Sequence, residues 1–232
     1  MAPSEATALV RVVERAAREG IPVTIFDTGI NTEEYVSFVS TNNYEAGVVG
    51  ARTLADALGG KGEVAVIRMV PGSASTTARE DGFADTISRE FPEIEIVAQQ
   101  YCMANHAKAL AVAENILTSH PDLSGMFASA EPATVGPIQA IKARGLVGKV
   151  KLVGFDFGHT IEQALRDGVL VAAVVQDPFN IGYTAVKTMA AKLRGETPER
   201  RIDSPVKVVT GENLTTLEID RFVHPDLAKY LN

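Results

Sequence analysis

From residue 21 to residue 193, short apolar runs that stop on Asp, Asn, Ser or Gly alternate with longer segments of helical period, and the gaps between them are short. The apolar runs over 21–26, 35–43, 63–69, 93–100, 123–129, 150–155 and 169–177 read as strands. The segments over 4–19, 44–58, 76–89, 105–119, 160–166 and 178–193, and one after the loop 130–132 that ends near Arg144, read as helices. Such alternation of strand and helix implies an α/β chain with parallel, doubly wound sheets. The runs are apolar at successive positions, as strands covered by helices on both faces require. The last helix is expected to gather Phe179, Tyr183, Val186, Met189, Ala190 and Leu193 on one face.

The most informative of these units is KLVGFDFGHT, residues 151–160, where an apolar strand stops on Asp156 before a turn and a helix. In open α/β sheets ligands bind in the crevice outside the carboxyl ends of the strands. Asp156 is therefore a candidate ligand contact. The alternative is that it only caps a helix, although Thr160 is at least as good a cap for the helix that follows. The same edge receives Asp27 and Thr28, Asn42 and Asn43, residues 73–77 and 99–105, Ser129, Glu131, Gln176 and Asp177. Carboxylates and amides in fixed planes suit a polyhydroxylated ligand, because each can hold adjacent hydroxyls. Phe26, Phe155, Phe157 and Phe179 lie near these ends, either as core or as surfaces on which a sugar ring can stack.

Other chemistries find little support. The net charge of −7 comes without a basic patch, which argues against nucleic acid. No apolar run approaches the ~20 residues of a membrane span. The opening 20 residues read as an amphipathic helix and not as a secretory signal, so the polypeptide as written is expected to stay in the cytoplasm. The run GGKGE lacks the spacing of a phosphate-binding loop. Cys102 is the single cysteine; it and His106 are four apart, as a nucleophile and base on one helix face would be, but no orienting acid accompanies them. The four histidines are scattered, so no metal site is expected, and no cofactor.

Taken together, IPVTIFDTGI, YVSFVSTNNYEAG, SASTTAREDGF, FASAEPATVG, LVGFDFGHTIEQALRDG and VAAVVQDPFNIGYTAV resemble the periplasmic sugar-binding proteins of the ribose-binding type, in the superfamily shared with the lac-repressor core. The resemblance runs in order from near residue 3 to about residue 213. It implies two similar α/β lobes joined by three crossing strands, with a sugar trapped between lobes that close like a hinge, and no catalysis. The implied partners are a monosaccharide or related polyol and the membrane permease of an ATP-driven importer, and the implied compartment of the full-length form is the periplasm. Neither nucleic acid nor direct membrane insertion is implied.

Carried over residue by residue, the resemblance makes Asp156 the sugar-binding Asp, Phe155 the matching aromatic, Gln176 the amide at the hinge and Asp27 the Asp after an earlier strand. Thr28 and Thr77 stand where ribose binders carry arginines, Arg79 matches a second arginine before Gly82 and Phe83, and Ala130 replaces an amide beside the retained acid Glu131. With two guanidinium forks and an amide replaced, a specificity other than ribose is expected. The family pattern also places a signal and about two βα units before the point matched by Met1, so the first lobe is expected to be incomplete and to leave apolar surface uncovered. The expected division assigns residues 1–41 and 177–205 to a partial N-terminal lobe, 42–176 and 206–214 to a C-terminal lobe and 215–232 to a tail. Two alternatives use the same cleft: the effector-binding core of a lac-repressor-type regulator, and a receptor for a non-sugar ligand such as a purine or a furanone.

Overall fold

The computed structural model describes residues 1–231, so the last residue of the expected tail, Asn232, lies outside the described residues. Helix α1 (Val10–Arg18) leads into β1 (Thr24–Phe26) and β2 (Ser37–Thr41). Alternation follows through α2 (Asn43–Leu58), β3 (Gly62–Arg68), α3 (Ala74–Glu90), β4 (Ile94–Tyr101), α4 (His106–Ser119), β5 (Leu123–Ala128) and α5 (Glu131–Ala143). It continues through β6 (Lys151–Phe155), α6 (His159–Arg166), β7 (Ala172–Val175), α7 (Pro178–Leu193) and β8 (Arg201–Ser204). Strand β9 (Lys207–Thr210), α8 (Leu217–Val223) and the short α9 (Ala228–Leu231) complete the described chain.

The strands form two sheets, as the α/β reading expects. One has three parallel strands in the order β1-β2-β8; the other has six in the order β4-β3-β5-β6-β7-β9, parallel except where β9 runs against β7. The order reverses between β4 and β5 on either side of β3, which sends α3 to one face of the larger sheet and α4, α5 and α6 to the other. Successive residues of β3 record this double cover. Val64 and Val66 pack with Leu54, Phe83 and Ile87 of α2 and α3, whereas Ala65 and Ile67 pack with Ile116 and Ile141 of α4 and α5.

Helices α2 and α3 touch backbone to backbone. A Cβ on Gly47 would lie 2.0 Å from the Arg79 carbonyl oxygen, and one on Gly82 would lie 2.1 Å from that of Tyr44. Only glycine allows this approach, and it brings Asn43 at the start of α2 beside Arg79 of α3. The chain passes between the sheets three times: after β2 into α2, after β7 into α7, and between β8 and β9. After residue 214, Ile219 of α8 is buried in the larger core beside Leu214.

Several expected boundaries move for local reasons. Helix α1 begins at Val10 and not near residue 4, because the Glu5 carboxylate accepts from the backbone N–H groups of Thr7 (3.1 Å) and Ala8 (2.7 Å) and closes a turn there. The expected loop 130–132 is already helix from Glu131, with Pro132 in the first turn, where its missing N–H is harmless. Thr160 does not cap α6; it sits inside the first turn, behind Gly158. In α7 the buried residues are Ile181, Ala185 and Thr188, which face the three-stranded sheet. Residues of the expected stripe share one open face: Val186 and Leu193 are each 71% exposed, and with Met189, Val23 and Phe26 they line a groove of about 690 Å³.

Candidate functional site

Each lobe carries the same four-residue pattern at the end of a strand. Phe26-Asp27-Thr28-Gly29 follows the core of β1, and Phe155-Asp156-Phe157-Gly158 follows that of β6. Both acids adopt the left-handed conformation, with φ of 65° at Asp27 and 68° at Asp156. Asp is among the few non-glycine residues that tolerate it. Each donates its backbone N–H to the next strand of its sheet, Asp27 to the Val39 carbonyl at 2.9 Å and Asp156 to that of Val174 at 3.0 Å. The chain thus turns sharply at the carboxyl edge of both sheets.

The two carboxylates are held differently. Asp156 accepts from Gln176 Nε2 at Oδ1 (2.7 Å) and from the backbone N–H of Glu131 at Oδ2 (2.9 Å). The second bond caps α5, whose own N-cap residue, Ala130, offers no side-chain acceptor. Asp156 is therefore a cap after all, though for a helix distant in sequence and not for the one that follows it. Asp27 is half-buried, and its carboxylate takes no hydrogen bond among the described residues. Burial pushes its pKa above the ordinary carboxylate value, Asp156 adds to the rise, and the Arg79 guanidinium opposes it.

Arg79 is the cation common to both acids. It is buried, donates from Nε to Asn43 Oδ1 (2.8 Å) and from Nη1 to the Ser129 carbonyl (2.9 Å), and stacks over the Phe155 ring at 3.8 Å. Loss of solvent lowers its pKa while Asp156 and Asp27 raise it; a guanidinium stays charged through such shifts.

The remaining expected residues separate into those at the cleft and those beneath it. Gln176 joins Asp156, and with Phe157, Asp177, Phe179 and Phe222 these two residues line a cavity of about 300 Å³. The expected aromatic contact Phe155 is 0% exposed, with β6 covered on both faces and Arg79 over the ring; it does not line the cavity, where Phe157 and Phe179 present their rings. Thr28 is buried, and its hydroxyl accepts from the Ser75 N–H at 3.2 Å, tying the first lobe to the start of α3. Thr77 is half-buried in the first turn of α3, and Glu131 at the start of α5 pairs with His106 at 3.2 Å. Cys102 lies before α4 and is buried, which raises its thiol pKa, so it shares no helix face with His106.

One residue of this network escaped the sequence reading, Thr41, which donates to Gln176 Oε1 at 2.8 Å; Asn43, expected at the strand-end edge, is the acceptor for Arg79. The signal that could have led to the network is the repeated F-D-x-G.

Two α/β lobes joined by three crossovers, with polar strand ends gathered at the gap, define a hinged ligand-binding protein. The chain belongs to the periplasmic binding protein family, whose domain model matches residues 1–197. It is 29% identical over 208 residues to the ribose import binding protein RbsB of Bacillus subtilis, covering 90% of this chain and 67% of that protein. It is 33% identical over 196 residues to the D-allose-binding periplasmic protein of Escherichia coli, covering 81% of this chain and 63% of that protein. The chain thus spans about two thirds of the length of these relatives. Among solved structures it is similar to an ABC transporter solute binding protein from Agrobacterium vitis with bound D-fucose, with TM-score 0.92, 34% identity and coverage of 96% of this chain and 78% of that one. It is also similar to a carbohydrate transporter solute binding protein from Agrobacterium radiobacter in complex with D-arabinose, with TM-score 0.91, 32% identity and coverage of 96% and 77%. No helix among the described residues is long and apolar enough to cross a membrane.

Proposed function

We infer that this chain is the sugar-binding component of an ATP-driven carbohydrate importer, holding a neutral monosaccharide or polyol between its lobes without chemistry on it. The observation that carries this reading is the pairing of a braced acid with an open one. Asp156 is fixed by two protein donors and, as a carboxylate with about four acceptor sites, keeps room for ligand hydroxyls. The Asp27 carboxylate is desolvated without a donor among the described residues, a state that ligand hydroxyls would relieve. The sugars named with the similar proteins support the same class.

In this reading Asp27, Asp156 and Gln176 contact the ligand, Phe157 and Phe179 offer ring faces, and Glu131 and Thr77 stand at the rim. Thr28 and Phe155 support the site from behind. The moving bodies are residues 1–41 with 177–205, and 42–176 with 206–214, rotating about the three crossovers. The permease of the importer is the membrane partner, and the periplasm is the compartment of the full-length form. An anionic ligand fits poorly, since the one buried cation among the described residues, Arg79, is committed to Asn43, Ser129 and the Phe155 ring.

A calorimetric screen tests the reading. Neutral pentoses, hexoses and polyols are titrated into the protein beside sugar acids, sugar phosphates and purines. At least one neutral sugar or polyol is expected to bind and the anions to give no heat. Binding confined to a purine or an anion would overturn the assignment.

A further inference from the structure

The candidate ligand amide Gln176 is itself held, and what holds it sits where the lobes join. Thr41 ends β2 at the first crossover and is fully buried. Its hydroxyl donates to Gln176 Oε1 at 2.8 Å, and Gln176 stands at the second crossover. Strand β8, which leads into the third crossover, pairs Ser204 with Thr41, and Arg201 donates to the Thr41 carbonyl at 3.3 Å. That carbonyl also accepts from Asn43 Nδ2 at 3.1 Å, and Asn43 in turn accepts from Arg79. All three crossovers therefore meet at one residue.

We propose that Thr41 is the positioning residue of the ligand site: its hydroxyl sets the plane of the Gln176 amide, and through it the Asp156 carboxylate, so that the geometry of the site depends on the geometry of the hinge. A carboxylate only accepts, so the amide must turn its NH2 toward Asp156. The amide oxygen then points the other way and needs a donor, which Thr41 supplies from a strand end whose β-branched side chain is stiff at χ1. With both ends of the amide fixed, the second N–H of Gln176 keeps one direction. Any rotation of one lobe against the other must bend the chain at residues 41–43, 176–177 and 205–206, and the Thr41–Gln176 bond spans two of these three places. At the other acid the neighbouring Ser40 hydroxyl donates to the Asp27 backbone carbonyl at 2.5 Å, and among the described residues no such bond reaches the Asp27 carboxylate.

The effect on ligand rests on the sugar-binding reading above; the geometry does not, and it is tested without ligand. Side-chain amide resonances of Gln176 are recorded by 15N NMR in the ligand-free protein and in its Thr41→Val and Thr41→Ser variants. The wild type and Thr41→Ser are expected to show one slowly exchanging Nε2 proton and a wide splitting of the pair, and Thr41→Val to move toward the values of a free glutamine. A free-glutamine signature in the wild type, or an unaltered one in Thr41→Val, overturns the proposal, and the wild-type and Thr41→Ser spectra decide it if Thr41→Val does not fold. Affinity for whichever sugar binds is then measured on a Gln176→Ala background. Thr41→Val should weaken binding about tenfold alone and not at all once Gln176 is gone. An equal loss on both backgrounds would mean that Thr41 acts only on the fold. If no sugar binds the wild type, the functional reading fails while the amide spectra still judge the relay.

Discussion

The two F-D-x-G turns have nearly the same backbone and opposite surroundings. Asp156, in the larger lobe, is braced by Gln176, by the start of α5 and, through Gln176, by the hinge. Asp27, in the smaller lobe, has the same left-handed φ but no donor at its carboxylate among the described residues, and burial raises its pKa. One acid is set in place by the fold, and the other is left for the fold to tolerate. A clamp that closes on a hydroxylated ligand needs both kinds: a fixed acceptor that defines orientation, and a second whose discomfort is relieved by the ligand.

The largest test of this contrast removes the cation that both acids share. Arg79→Met keeps the side-chain stem but removes the donor to Asn43 Oδ1 and to the Ser129 carbonyl and leaves the acids uncompensated, and should destabilise the fold by about 3–5 kcal/mol in urea denaturation. A loss below about 1 kcal/mol would mean that the two turns stand independently of Arg79. Next is Asp156→Ala. It should weaken sugar binding by about 2–4 kcal/mol, measured by calorimetry, and lower stability by about 1 kcal/mol because α5 loses its cap. Intact binding in the folded variant would reduce Asp156 to a cap alone.

Asp27→Asn should act with mixed sign, and so sharpens the contrast most. A folded-state pKa raised above its unfolded value means that the ionised group disfavours the fold: stability is highest below the unfolded pKa and falls as pH rises through the folded one. Removing the charge should therefore raise the melting temperature slightly at neutral pH, while sugar binding weakens by about 1.5–3 kcal/mol. A fall in both would place Asp27 among the structural acids. The smallest effect is that of pH on binding, with affinity expected to decline as acid titrates Asp27, beginning at a higher pH than an ordinary aspartate would give.

Much of this architecture was legible in the sequence because alternation and strand-ending acids are local signals. Asp27 and Asp156 stood out for that reason, as did Gln176 at the end of β7. What was not legible depends on neighbours distant in the chain. Phe155 and Phe157 flank one acid, and on a strand covered on both faces nothing in the alternation says which ring is buried; the guanidinium of Arg79, some 76 residues earlier, decides it. Glu131 read as loop because its cap comes from Asp156 and not from its own residue 130. Thr41 read only as part of the strand over 35–43, since the partner of its hydroxyl comes from the second crossover. On α7 the stripe with Val186, Met189 and Leu193 is left open because the three-stranded sheet covers only the flank with Ile181 and Ala185, and helical period alone does not say which flank a sheet will cover.

The claim that Asp27 is the open half of a two-acid clamp is tested most directly by the titration of its own carboxyl carbon, followed by 13C NMR in the free protein and in the protein saturated with a sugar found by the screen. The free form should titrate above the ordinary aspartate value, in line with its desolvation, and saturation should lower that midpoint as ligand hydroxyls donate to the ionised group. A midpoint that saturation leaves unchanged would contradict the account.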